Sequence, residues 1–187
     1  MSDPRFLVGQ LLLAMPGMGD PRFDHAAIAM CMHDEGGALG LVVNHVYEGL
    51  TVRKVMEQLE VDPGDLADTH PVYAGGPVEP GRGFVLHSLD YDGAATLQVA
   101  GKWGLTATIE ILKDIAAGTG PAKWLLALGY TGWGEGQLDD ELTRHGWLNA
   151  PAPSDLIFDT PFEERWPRAF ATLGVDVGQL SAVAGRA

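Results

Sequence analysis

The chain has 187 residues, 46% apolar and 20% charged, an ordinary globular mixture that can bury roughly 70% of its unfolded surface without stapling. Its 25 acidic against 12 basic residues leave a net charge of −13, which disfavours direct nucleic-acid binding, because affinity for phosphates comes largely from Lys and Arg. One cysteine, Cys31, forbids an internal disulfide, and no run approaches the roughly 20 apolar residues of a bilayer span, so the expectation is a cytoplasmic protein with no membrane segment.

The N-terminal stretch Phe6–Met15 is short, broken by Gly9 and Gln10, and preceded by Asp3 beside Arg5, so it does not read as a signal peptide. Gln10 to Met15 predicts a buried strand ending at Pro16, and MPGMGDPRF predicts a loop in which Asp20, between Gly19 and Pro21, caps a turn. His25 to His33 and Ala38 to Asn44 are apolar runs joined by Asp34-Glu35-Gly36-Gly37, a hairpin signal. Thr51 can cap a helix whose Val52, Val55, Met56 and Leu59 share one face.

Further along, Val72-Tyr73-Ala74 leads into Gly75-Gly76-Pro77-Val78, and Phe84 to Leu89 and Thr96 to Val99 predict two strands. Thr108 can cap a helix over Ile109 to Ala117, closed by Gly118. Trp124 to Tyr130 predicts another strand and Leu156 to Phe158 a short last one. Pro161 suits a first helical turn, whereas Pro167 predicts a break before a helix to Leu173 stopped by Gly174. With no repeat or low-complexity linker, the expectation is one α+β domain over residues 1–187, its sheet mainly antiparallel or mixed and flanked by helices.

The segment GYTGWGEGQLDDELTRHGWL follows an apolar strand and precedes a helix-like pattern, the order of a phosphate cradle. Asp139, Asp140 and Glu141 already answer the positive end of that helix, and neither the glycine loop nor the first helical turn holds a Lys or Arg. Gly132-x-Gly134-x-Gly136 also lacks the longer interval of a dinucleotide fingerprint. Glycines that let backbone approach backbone explain the stretch better, with Leu138 and Leu142 facing the core.

Other chemistry is sparse. His25, Cys31 and His33 share a parity, so on one strand they would face one side, yet alternate residues sit roughly 6–7 Å apart and nothing completes a metal site or dyad. No serine lies in a Gly-x-Ser-x-Gly elbow. The sequence therefore predicts no catalytic residue, no metal and no cofactor, and it points away from an enzyme.

The ordered motifs Gly9-Gln-Leu-Leu-Leu-Ala-Met-Pro16, Met18-Gly-Asp-Pro-Arg-Phe23, Glu35-Gly-Gly-Ala-Leu-Gly-Leu-Val-Val-Asn44, Gly75-Gly-Pro-Val78, Arg82-Gly-Phe-Val-Leu-His87, GYTGWGEGQL and Ile157-Phe-Asp-Thr-Pro161 with Arg165-Trp166 resemble the YqgE/AlgH family over almost the whole chain. The resemblance implies a strongly bent sheet and carries a label of transcriptional regulation, with no catalytic residue to transfer. Where the family has Asn-Lys-Pro this chain has Asn44-His45-Val46, so no anion contact of that lysine carries over with the resemblance.

Two functional expectations follow. The first is a non-catalytic regulator or adaptor acting through an unidentified protein partner, with any effect on transcription indirect. The alternative is an enzyme or small-ligand binder whose groove is lined by Pro16, Asp20, Asn44, Gly75, Gly76, Tyr130, Trp133 and Gln137, since loops that follow strands often converge on pockets. Asn44 has a competing role in tying down its own loop.

Overall fold

The structure, a computed structural model, describes residues 5–144 and 146–184. Its elements run β1 (Leu11–Ala14), a 3-10 turn (Pro21–Phe23), β2 (Ala27–Asp34), β3 (Gly37–Val42), β4 (Val46–Thr51), α1 (Val52–Gln58), β5 (Pro71–Ala74), β6 (Val78–His87), β7 (Leu97–Val99) and β8 (Trp103–Thr106). They continue with α2 (Ile109–Ala117), β9 (Trp124–Trp133), α3 (Gln137–Thr143), β10 (Trp147–Ala150), α4 (Ser154–Phe158), α5 (Phe162–Ala171) and α6 (Val177–Ala184).

The sheet order is β10-β1-β2-β3-β9-β6-β8-β7, with β5 also on β9 and β4 on β5. Among the described pairings only β5 with β9 is parallel. β9 is the hinge of this mixed, strongly bent sheet, whose antiparallel strands curl into half a barrel. Its first half lies between β5 and β6, and its last residues, Thr131 to Trp133, pair with β3.

The continuous apolar runs of β1 and β2 have a direct cause: both faces are buried. Leu11, Leu13, Ala27 and Ala29 enter a cluster covered by Ile157, Trp166 and Phe170 of α4 and α5. Leu12, Ala14, Ile28 and Met30 point the other way, against Phe23, Leu138 and Trp147. A third cluster lies under α1 and α2, where Val52, Met56, Ile111 and Leu112 meet Val85 and Leu126.

Two glycine contacts show how tightly the backbones cross where β9 changes neighbours. A Cβ on Gly76, at φ +154°, would fall 2.2 Å from the Tyr130 carbonyl, and one on Gly129, at φ +77°, would fall 2.4 Å from the Gly76 oxygen. Only a residue without a side chain fits either position. The glycine-rich segment thus opens as strand: β9 continues through Gly132 to Trp133, three residues past the expected end at Tyr130.

Several expectations are corrected. Leu156 to Phe158 is part of helix α4, because Leu156 and Ile157 are buried side by side and a three-residue apolar run does not distinguish strand from helix. Pro167 does not break the last long helix: α5 runs through it, anchored by buried Arg165, Trp166, Ala169 and Phe170. β4, β8, β10 and α6 had no clear sequence signal, and β6 starts at Val78 rather than Phe84. Thr51 caps α1 by accepting from the Lys54 N–H at 3.3 Å, whereas Thr108 occupies the cap of α2 without a side-chain hydrogen bond. Leu59 leaves the apolar face of α1 and is exposed. Cys31 and His33 do not share a face. A bulge between Met30 and Met32 shifts the register, leaving Cys31 in the first cluster while the His33 Nδ1 accepts from the Leu7 N–H at 3.0 Å beside the second.

Candidate functional site

The loops flagged in the sequence converge in part. A groove of about 470 Å³ opens between the 3-10 turn, the Pro77–Val78 segment, the end of β9, and the α3–β10 connection. Asp20, Trp133 and Gln137 line it. Its apolar wall is three aromatic rings set edge to face: Phe23 and Trp147 with centroids 5.4 Å apart, and Trp147 and Trp133 at 6.1 Å. Such pairs hold one another in fixed orientation.

Glu141 organises the polar side. Its Oε2 accepts from the indole N–H groups of Trp133 at 3.0 Å and Trp147 at 2.9 Å, and its Oε1 accepts from Gln137 Nε2 at 3.0 Å. The Gln137 carbonyl oxygen in turn accepts from the Gly134 N–H at 3.0 Å. The i, i+4 spacing of Gln137 and Glu141 on α3 makes this chain possible. Both indole donors are thereby satisfied inside the protein, so the rings serve as preset walls.

At the rim, Asp20 caps the 3-10 turn by accepting from the Arg22 N–H at 3.0 Å and pairs with the Arg22 guanidinium at 2.8 Å. The hydrogen bond from Arg22 holds the Asp20 carboxyl below its usual range, and Asp20 reciprocally raises Arg22. Arg144, exposed on the same rim, makes no side-chain hydrogen bond or ion pair with any described residue.

The other candidates have different duties. Pro16 lies outside the groove lining. Asn44 ties the loop before β2, accepting from the Ala27 N–H at 2.8 Å and donating to the His25 carbonyl at 2.7 Å. Gly75 and Gly76 permit the backbone crossing at β9, where a Cβ on Gly75 would fall 2.3 Å from the Gly129 oxygen. Tyr130 packs edge to face on Phe84 at 5.8 Å, against the first cluster rather than the second that holds Trp133. His45, where the family motif has lysine, is bonded through Nε2 to the Asp24 carbonyl at 2.9 Å, and burial lowers its pKa.

Sequence reasoning missed Glu141, Trp147, Arg22, Phe23 and Arg144. Glu141 had one usable signal: as the only acidic residue four positions from Gln137, it shares that residue's helix face. Nothing in the sequence announced that Trp147 would stand beside Trp133, since β10 joins the sheet at β1, on the far side of β2 and β3 from β9.

The groove's hydroxyl and its central carboxylate are engaged within the protein: Thr131 donates to the Gly75 carbonyl at 3.3 Å, and Glu141 already accepts three hydrogen bonds. Cys31 lies elsewhere, buried, its thiol pushed up to about 12 by desolvation, and the nearby Trp103 indole N–H makes no hydrogen bond with any described residue. Among the described residues no group of three or more His, Cys, Asp or Glu side chains converges as a metal site, and no helix is long and apolar enough to cross a membrane.

Comparison with known proteins places this architecture. A family model described as AlgH-like matches residues 11–178. A UPF0301 protein of Rhizorhabdus wittichii is 54% identical over the full length of both chains, and one of Novosphingobium aromaticivorans is 52% identical, again over both whole chains. The solution structure of the AlgH protein from Pseudomonas aeruginosa superimposes with a TM-score of 0.79 at 42% identity, covering 97% of this chain and 96% of that one. A crystal structure from Corynebacterium diphtheriae, at 19% identity, shares the fold with a TM-score of 0.73 over 97% of this chain and 94% of that one. The chain belongs to the AlgH-like, or UPF0301, family.

Proposed function

We propose that this protein is a non-catalytic cytoplasmic regulator or adaptor that receives a protein partner in the groove walled by Phe23, Trp133 and Trp147. The observation that carries the reading is Glu141 holding both indoles in place, so that a rigid aromatic wall is flanked by the guanidinium of Arg144, which pairs with no described residue. Aromatic and arginine side chains dominate the energetics of protein interfaces, and preset ones cost less order on binding. Of the eight sequence candidates, Asp20, Trp133 and Gln137 would meet the partner, while Pro16, Asn44, Gly75, Gly76 and Tyr130 would shape the loops that frame it. With a net charge of −13, any influence on transcription would run through that partner rather than through DNA.

A second reading, a small-ligand site in the same groove, is favoured by its volume of about 470 Å³, within the span of roughly 300–1,000 Å³ usual for such pockets. Affinity capture from native lysate separates the two. Gln137→Ala and Arg144→Ala, both at exposed positions, should abolish capture of a discrete protein while leaving the thermal melt in place. Capture unchanged by both substitutions would contradict the partner reading, as would tight, salt-sensitive binding of the purified protein to promoter DNA.

A further inference from the structure

At the opposite end of β9, up to roughly 30 Å along the strand from Trp133, lies a second and smaller cavity of about 160 Å³. It is enclosed by the start of β5, the start of β9, the end of α4, and Arg165 of α5. Arg165 is only 5% exposed, yet no carboxylate of a described residue stands within ion-pair distance of it. Its Nε donates to the Thr160 carbonyl at 3.0 Å and its Nη1 to the Val43 carbonyl at 2.6 Å. Among the described residues Nη2 has no carbonyl or carboxylate partner, and it is not sealed from solvent, so the guanidinium presents donors to the cavity it lines.

Neighbouring acids are engaged elsewhere. Asp159 pairs with Lys123 and Glu164 with Arg168, while Glu163 acts on Tyr73 without pairing with Arg165. A buried cation without a counter-charge is costly, since carbonyl dipoles replace only part of its hydration. The surrounding residues add donors. The Arg165 guanidinium lies over the Tyr73 ring at 5.1 Å, close enough for its charge to oppose the rise that burial imposes on the Tyr73 phenol. His70 stacks on Trp124 at 4.8 Å, and both line the same cavity.

We infer that this cavity is an anion site, in which Arg165, Tyr73, His70 and Trp124 hold the carboxylate or phosphate head of a small ligand. A planar guanidinium offers such oxyanions a matching fork, and the phenol, imidazole and indole supply further donors around it. The volume accommodates the head group and leaves the remainder of a larger ligand toward the half-buried rim of His70, Pro71 and Phe158.

The test is a pair of NMR titrations of the intact 15N-labelled protein, with inorganic phosphate and with acetate, at constant ionic strength. The Trp124 indole and Arg165 Nε–H resonances should shift saturably with at least one anion, and the choice of anion identifies the head group. Tyr73→Phe keeps the ring under Arg165 but removes the hydroxyl, and should weaken binding roughly tenfold without unfolding the protein. Absence of saturable shifts with either anion would overturn the assignment, as would shifts that are identical in Tyr73→Phe.

Discussion

Replacing Glu141 tests how the aromatic groove is held. Its carboxylate satisfies two indole N–H groups on side chains that are 6% and 4% exposed, Trp133 and Trp147. Hydrogen bonds to a charged acceptor contribute roughly 1.5–3 kcal/mol each, and water entering from the open side recovers part, so Glu141→Ala should cost about 3 kcal/mol. For a chain of this length that is a fall of roughly 6–12 °C in Tm. Glu141→Gln should cost only about 1 kcal/mol, because the amide oxygen can still accept both indoles while its NH2 group faces the donor of Gln137. Urea unfolding followed by tryptophan fluorescence, with unchanged m values, measures both. An alanine variant within about 0.5 kcal/mol of wild type, the scale of an ordinary surface change, would refute the reasoning.

Other outcomes follow from the same contacts. Gly76→Ala places a Cβ 2.2 Å from backbone at a positive φ and should cost more than about 3 kcal/mol, whereas Gly132→Ala, whose nearest neighbour would be the Tyr130 ring at 3.5 Å, should stay within about 1 kcal/mol; equal urea midpoints would contradict this. The Cys31 thiol should resist a disulfide reagent at pH 8 until the protein is unfolded, and rapid stoichiometric reaction of the native state would disprove its burial. Since its pKa is raised from 9.0 to about 12, its contribution to stability is complete below pH 9 and is lost as pH rises toward 12, so Cys31→Ala should flatten the alkaline fall in stability. Pro167→Ala restores a donor for the Glu163 carbonyl inside α5 and should stabilise the helix by about 1 kcal/mol, and a loss of stability would show that the ring's own packing outweighs the missing bond.

Much of the fold was readable because its signals are local. The hairpin turn at Asp34 to Gly37, the Thr51 cap and the Gly118 stop each depend on a few adjacent residues, and each stands where the pattern puts it. Failures came where distant contacts decide. Pro167 is tolerated because Arg165, Trp166 and Phe170 are buried around it, and the bulge at Cys31 reversed a parity argument that assumed a regular strand. The groove was half legible. Asp20, Trp133 and Gln137 meet there because their loops follow strands whose ends the sheet gathers, but Trp147 arrives by β10, which pairs with β1 rather than with its sequence neighbours. Arg165 stood inside a motif of the sequence, yet its lack of a counter-charge among the described residues is visible only once the surrounding carboxylates have found other partners.

Site-specific photo-crosslinking in living cells tests the central claim most directly. A benzophenone side chain at position 144, on the groove rim, should give a discrete covalent adduct with one protein, and the same probe at position 113, on α2, should give none. Adducts of equal yield from both positions, or none from position 144, would contradict a partner-binding groove.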